Sequence, residues 1–276
     1  QQNIHLLTNS SFGLPNDMWV PSTETVAPQK SQQIVLGYHR VFSDKQKLET
    51  KSYETSIELY YKKMENLITF AEGTNILGTN FSSWENRIEE NGSGTSQGIE
   101  MFIKKKSGKL TGWIGYTLSK TDRQFENINL GNEYPYKFDR RHDLSIVSSY
   151  NLKTGVHLNA TFVYGTGNAV TLPIAQYLLF TGNDFVQFFD YGEKNDFRMA
   201  PYHRLDIGCS FTKEKKWGER TWSISIYNIY NRKNPFFIYL QEDGQENGNL
   251  EYSTYQPMQI SLFPIIPSIR YSFKFK

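Results

Sequence analysis

The 276-residue chain has a single cysteine, Cys209. One thiol cannot build an internal disulfide framework or a multi-cysteine metal cage. No unbroken apolar run reaches the roughly 20 residues that a membrane-spanning helix needs. Charge of one sign is also scarce: 30 Lys and Arg against 28 Asp and Glu leave a net +2. Nucleic-acid binders concentrate positive charge on one face, so no such partner is expected. Only 38% of the residues are hydrophobic and 21% are charged. That balance excludes collagen-like, disulfide-stapled and strongly charged disordered chains. The length fits two average domains or one large β-domain. Residue 1 is Gln and no charged-then-apolar leader follows it, so the expected N-terminus is a processed end or a cut.

Aromatic residues are plentiful instead. They make up 15% of the chain, with 18 Tyr and 19 Phe, although the mean hydropathy is only −0.56. Greasy residues in a wet sequence point to strands with one face of each kind. The periodicity is two, not 3.6. In segment 156–164, Val156, Leu158, Ala160, Phe162 and Tyr164 point one way, and His157, Asn159 and Thr161 the other, with Val163 the exception. Segments 110–119, 202–211, 222–227 and 268–276 alternate in the same manner. Further strands are expected at 32–42, 48–68, 96–106 and 140–151, with a shorter one near 2–7. Ionisable Glu58, Lys62, Glu100, Lys104, Arg204, Asp206, Arg270 and Lys274 share the polar faces. Inside a closed dry core each would cost several kcal/mol unless paired.

The connections alternate as well. Tight polar turns are expected at Ser43–Lys47, Ser107–Lys109, Lys153–Gly155 and Lys213–Gly218, with long loops near 71–95, 121–139, 167–200 and 231–257. In an up-and-down antiparallel sheet this puts every short turn at one end and every long loop at the other, as in transmembrane β-barrels. A soluble sandwich with Greek-key crossings, for instance a carbohydrate-binding one, has no reason to keep that order. The expected fold is therefore all-β, an antiparallel up-and-down transmembrane barrel of about ten strands.

An ordered series of motifs carries a family resemblance. It begins at Leu14-Pro15-Asn16-Asp17-Met18-Trp19-Val20-Pro21 and continues with Trp113-Ile114-Gly115-Tyr116-Thr117-Leu118-Ser119-Lys120-Thr121. Tyr134-Pro135-Tyr136-Lys137-Phe138-Asp139-Arg140-Arg141-His142-Asp143 comes next, then Tyr164-Gly165-Thr166-Gly167-Asn168-Ala169-Val170. Tyr202-His203-Arg204-Leu205-Asp206, Tyr227-Asn228-Ile229-Tyr230-Asn231-Arg232 and the terminal Tyr271-Ser272-Phe273-Lys274-Phe275 complete it. Together they resemble the C-terminal barrel portion of TonB-dependent outer-membrane receptors, closest to the subgroup with a carboxypeptidase-regulatory-like N-terminal domain.

The resemblance implies that residues 1–276 are part of a 22-stranded barrel in a bacterial outer membrane, without the plug and the earlier strands. The implied partners are that remaining N-terminal part, the inner-membrane TonB energy complex reached through it, and the lipid bilayer. A surface lipoprotein capping the loops, as in some relatives, is a further candidate. The implied role is capture of a scarce nutrient at the loops and its import past the plug, without bond chemistry and without a cofactor. The last strand, with Tyr271, Phe273 and Phe275, would be read by the barrel-assembly machinery.

Candidate sites follow from residue types. Aromatics in long loops offer stacking area to a ligand or to one another: Trp84, Tyr134, Tyr136, Phe185, Phe188, Phe189, Tyr191, Tyr252 and Tyr255. Of these, Trp84, Tyr134, Tyr136, Phe188, Tyr191 and Tyr252 are taken as ligand contacts. The competing class is a self-contained barrel hydrolase. Its candidates are Gly94-Thr95-Ser96-Gln97-Gly98, which matches a nucleophile-elbow pattern, and His142 with Asp139 and Asp143, a possible acid–base group. The first is expected to be a loop-to-strand entry and the second a charge network at a strand end. The five histidines lack metal-ligand spacing. Glu242, Asp243, Glu246 and Glu251 lack the order of a calcium loop, so no metal is expected. Cys209 sits among apolar neighbours as packing or lipid-facing surface.

Overall fold

A computed structural model describes residues 3–8, 17–43, 52–71, 84–182, 185–244 and 253–276. Alternating sequence becomes strand nearly everywhere in them. A short N-terminal hairpin, β1 (Ile4–Thr8) and β2 (Asp17–Pro21), precedes four long strands: β3 (Lys30–Ser43), β4 (Ser52–Phe70), β5 (Ile88–Lys105) and β6 (Leu110–Gln124). The two-residue β7 (Tyr134–Pro135) leads into β8 (His142–Lys153) and β9 (Val156–Gly165). Then come β10 (Ala169–Val170), the hairpin β11 (Pro173–Phe180) and β12 (Phe185–Tyr191), and β13 (Phe197–Arg198). β14 (Tyr202–Lys215), β15 (Gly218–Tyr227), the hairpin β16 (Pro235–Gly244) and β17 (Ser253–Ser261), and β18 (Ile266–Phe275) complete the order.

One ten-stranded antiparallel sheet dominates. Its path runs β18-β15-β14-β9-β8-β6-β5-β4-β3, with β7 paired to the end of β6. Each long strand lies beside its neighbour in the chain, and the short hairpins stay off this path. This is the up-and-down order that the alternation of connections implied. A Greek-key sandwich would need a second sheet with crossings.

Register makes the two faces coherent. Leu36, Leu59, Ile99 and Leu118 fall in one row. Tyr150, Leu158, Cys209, Ile224 and Ile269 fall in another on the same face. One residue along, Gly37, Glu58, Glu100, Thr117 and Asp143 form a polar row, as do Ser149, Asn159, Gly208, Ser225 and Ser268. Because side chains alternate with period two, a one-residue slip anywhere would invert a whole strand.

Among the described residues nothing covers the apolar face. Ile34 is 75% exposed, Leu36 71% and Ile269 71%. The buried apolar residues lie elsewhere, in the loop layer and where strands enter it. Leu7, Val20 and Val26 of the N-terminal hairpin region pack on Ile68, and Leu67 packs with Phe125, Ile128 and Tyr134. A water-soluble sheet would bury its greasy face first. At 19 residues, β4 is about twice as long as a bilayer crossing requires. Its far end, Leu67 and Ile68, anchors both clusters.

Several boundaries differ from the sequence reading. Within the Leu14–Pro21 motif, Asp17–Pro21 is a strand that pairs with β1, placing Val20 opposite His5, while 9–16 lie outside the described residues. The long connection after β4 ends earlier than 95, because β5 starts at Ile88. Glu89 and Glu90 hid that strand, since polar residues at a strand end in water mimic a loop. The connections at 167–200 and 231–257 carry hairpins whose Gln, Asp and Glu residues break the alternation on both faces. The expected turn at Ser43–Lys47 falls, after Ser43, outside the described residues.

Candidate functional site

The polar face forms a shallow trough lined by Ser56, Glu58, Glu100, Phe102, Trp113 and Thr117, among others. Glu58 and Glu100 stand directly opposite each other across β4 and β5. Like charges in that relation repel, so the wall carries a local negative field. Hydroxyl pairs fill other rungs, including Ser210 with Ser223 at 3.2 Å and Thr212 with Thr221 at 3.0 Å. These are groups that favour water on this side.

Above the trough the loops are pinned to one another by buried polar bonds. Asp139, whose side chain is fully buried, accepts from the Thr121 backbone N at 2.8 Å and from Arg198 Nη2 at 2.7 Å. Arg198 Nη1 also donates to the carbonyls of Asp139 at 2.6 Å and Gly167 at 3.2 Å. Lys194 reaches across from the segment after β12 and donates to Thr69 Oγ1 at 3.1 Å and the Phe70 carbonyl at 2.9 Å. Lys137 pairs with Asp17 of the N-terminal hairpin at 3.3 Å. The long connections thus form one hydrogen-bonded layer on top of the strands.

Arg123, near the end of β6, points to the polar face, in register with Gly94 and with Tyr134 of β7. Its guanidinium lies over the Tyr136 ring at 3.7 Å. Two aromatic belts flank the apolar band on the other face. Tyr116 and His142 share a 2.8 Å hydrogen bond near the loop end; Trp222 meets Tyr271 at 4.9 Å near the short-turn end.

The aromatic ligand candidates separate into packing and open residues. Tyr134 is 3% exposed and stacks on Phe125 in the loop core. Trp84 packs against the cluster around Ile68. Tyr136 lies under Arg123 and edge-on to Phe138. Phe188, 47% exposed, faces outward on the β11–β12 hairpin beside Tyr177 and near the exposed Tyr191. Burial raises the pKa of the Tyr191 hydroxyl. Phe189 meets Tyr255 edge-on at 5.4 Å and Gln176 Oε1 accepts from the Tyr255 backbone N at 3.1 Å, so the two hairpins touch. Tyr252, Glu246 and Glu251 lie outside the described residues. Tyr271, Phe273 and Phe275 line up on the apolar face of β18.

The hydrolase constellations do not assemble. Gly94–Gly98 lies wholly inside β5, with Ser96 Oγ bonded to Thr121 Oγ1 at 2.8 Å across to β6. There is no sharp turn to expose the serine, and the expected loop-to-strand entry lies earlier. His142 points to the apolar face with Tyr116, whereas Asp143 points to the polar face and pairs with Arg140 at 3.4 Å. Neighbours on a strand cannot share a reacting atom. Asp139 is committed to Arg198, and Arg141 approaches it at 3.6 Å. No group of three or more His, Cys, Asp or Glu side chains placed to hold a metal ion occurs among the described residues. Sequence reasoning missed Arg123 and Arg198. Arg123 could have been found from its polar-face position on β6; nothing in the local sequence marks Arg198.

A family model described as TonB dependent receptor-like, beta-barrel, matches residues 8–231. No curated protein and no solved structure matches the chain.

Proposed function

The chain belongs to the TonB-dependent receptor-like β-barrel family, and from that premise we propose that it forms the C-terminal wall of an outer-membrane importer for a scarce nutrient. Its connected long loops capture the cargo. The polar face borders a lumen in which a plug, carried by the N-terminal part of the receptor, blocks passage. The inner-membrane TonB complex then opens the path by pulling on that plug. The free edge of β18, with Tyr271, Phe273 and Phe275 beside it, closes against the first strand of the complete barrel. Such closure removes the bare edges that would otherwise invite aggregation.

One observation carries this reading: a continuous sheet with an uncovered apolar face, a polar opposite face and its long connections gathered at one end. In lipid, a closed barrel satisfies every strand hydrogen bond, and oily side chains turned outward cost nothing. Open residues such as Phe188 and Tyr191 are the proposed cargo contacts. Trp84, Tyr136 and Tyr252 belong to the same proposal, while buried Tyr134 would serve by holding the loop core. A surface lipoprotein over the loops and an N-terminal regulatory-like domain are proposed as further parts.

The test is fractionation of cells expressing the receptor. It should enter the outer membrane as a heat-modifiable band, and cargo uptake should stop when the energy complex is deleted. Recovery in the detergent-free soluble fraction, or uptake independent of the energy complex, would refute the proposal.

A further inference from the structure

Most cations of the loop layer have a counter-charge or a neutral acceptor: Lys194 donates to Thr69 Oγ1 and the Phe70 carbonyl, and Arg232 to the Pro201 carbonyl. Lys120 pairs with Asp122 at 2.6 Å, Lys137 with Asp17 at 3.3 Å, Arg140 with Asp143 at 3.4 Å and Arg198 with Asp139 at 2.7 Å. Arg204, also on the polar face, pairs with Asp206 at 2.9 Å. Arg123 has no carboxylate and no hydrogen-bond acceptor among the described residues, and its buried Nε is unsatisfied. Its row holds Tyr134 of β7 but no carboxylate. Gly94 faces it from β5, and Met64 of β4 lies beyond Gly94.

Leaving a guanidinium half-dry and unpaired is costly. The Tyr136 ring at 3.7 Å offsets part of that cost through its negative face. It also fixes the plane of the group. A guanidinium held flat by one face keeps its edge free, and that edge is a fork of N–H donors matched to two oxygens of one anion. The fork lies on the lumenal side of β6, at the loop end, where cargo would first enter.

We propose that Arg123, backed by Tyr136, anchors an oxyanion of the incoming ligand: a carboxylate, sulfate or phosphate group. This rests on the importer reading and narrows the cargo to anionic molecules. A neutral ligand could accept its hydrogen bonds but would leave its charge uncompensated, whereas an oxyanion supplies both. Lysine could not replace it, because a point charge on a flexible stem offers neither the flat stack nor the two-pronged contact.

The test uses the intact receptor purified in detergent, with citrate and sulfate as probes and chloride at matched ionic strength as the control. Phenylglyoxal labels accessible arginines, and peptide mass spectrometry reads each site. Arg123 should label in chloride and slow by about tenfold in citrate or sulfate, the size expected of charge-assisted hydrogen bonds. Arg198 serves as the internal reference and should stay unchanged between salts. R123Q should shrink the citrate-dependent rise in melting temperature to the part that general salt exclusion gives any protein, and R123K should keep only a small part of the excess. Equal labelling of Arg123 in citrate and chloride would overturn the proposal. So would an Arg123 already unreactive in chloride, because another part of the receptor would then hold the fork. These readouts do not involve transport, so loss of energy-dependent uptake would strike the importer reading and leave the anion result standing.

Discussion

Arg198 grips Asp139 at two points, Nη2 to the carboxylate at 2.7 Å and Nη1 to the backbone carbonyl at 2.6 Å. The residues are 59 positions apart, on different long connections. The contact therefore ties the segment before β8 to the segment before β14. Asp139 also holds the Thr121 backbone N, which fixes the loop to the end of β6.

Asp139→Ala should therefore loosen the loops and spare the barrel. Removing one partner of a buried pair costs roughly 3 kcal/mol, because two arginines then lose their counter-charge. Limited proteolysis should show faster cutting within 125–141 and 166–201, with the heat-modifiable band unchanged. Wild-type cutting rates would mean the pair contributes nothing to loop order.

Tyr134 and Phe188 should separate packing from capture. Tyr134→Ala opens a cavity among Leu67, Phe125 and Ile128 and should cost about 3 kcal/mol, seen as a lower melting temperature. Phe188→Ala removes an exposed ring, so stability should stay within about 0.5 kcal/mol while cargo capture falls. Cargo binding assays on both variants check the split.

The N-terminal hairpin should weaken in acid. His5 is buried, with its ring nitrogens on Ser22 Oγ at 3.1 Å and Gln29 Nε2 at 3.0 Å. Burial lowers its pKa below the ordinary histidine value of 6.5, with the Ala27 backbone opposing. The unfolded hairpin therefore binds a proton more readily than the folded one. Its docking is at full strength above that unfolded value and is lost as the pH falls through the lower folded one. Hydrogen exchange at residues 3–8 and 17–26, corrected for intrinsic rate, should speed up at pH 5 relative to pH 7.5. His5→Gln should remove most of that difference.

Gly155 closes the β8–β9 turn with φ +76, and a Cβ there would lie 2.2 Å from the Thr212 carbonyl oxygen. Gly155→Ala adds a left-handed strain of about 1–2 kcal/mol and pushes β14 away. Refolding yield in detergent should drop. An unchanged yield would show that the turn relaxes freely.

The membrane-facing half of the structure was legible because lipid and water on opposite sides favour alternation, with a few apolar residues such as Phe102 and Trp113 on the polar face. Leu158 and Asn159, or Leu59 and Glu58, could be assigned to their faces by parity alone. That rule lapses where strands leave the bilayer. Glu89 and Glu90 at the start of β5, and the Gln and Asp residues of β11–β12, have water on both sides and read as loop. The candidate site was legible in part. Tyr136 and Asp139 stood out by type and motif, but Arg123 matters through what it lacks, and missing counter-charges appear only when distant segments are placed together. Arg198 reaches Asp139 through a tertiary contact that no local spacing encodes.

The central claim is that consecutive residues of β9 face hydrocarbon and water in turn. Spin labels at Leu158 and Asn159, one at a time in the reconstituted receptor, test it directly. The label at 158 should collide with oxygen and be shielded from a water-soluble nickel chelate, and the label at 159 should show the reverse. Equal access of both labels to both reagents would contradict the account.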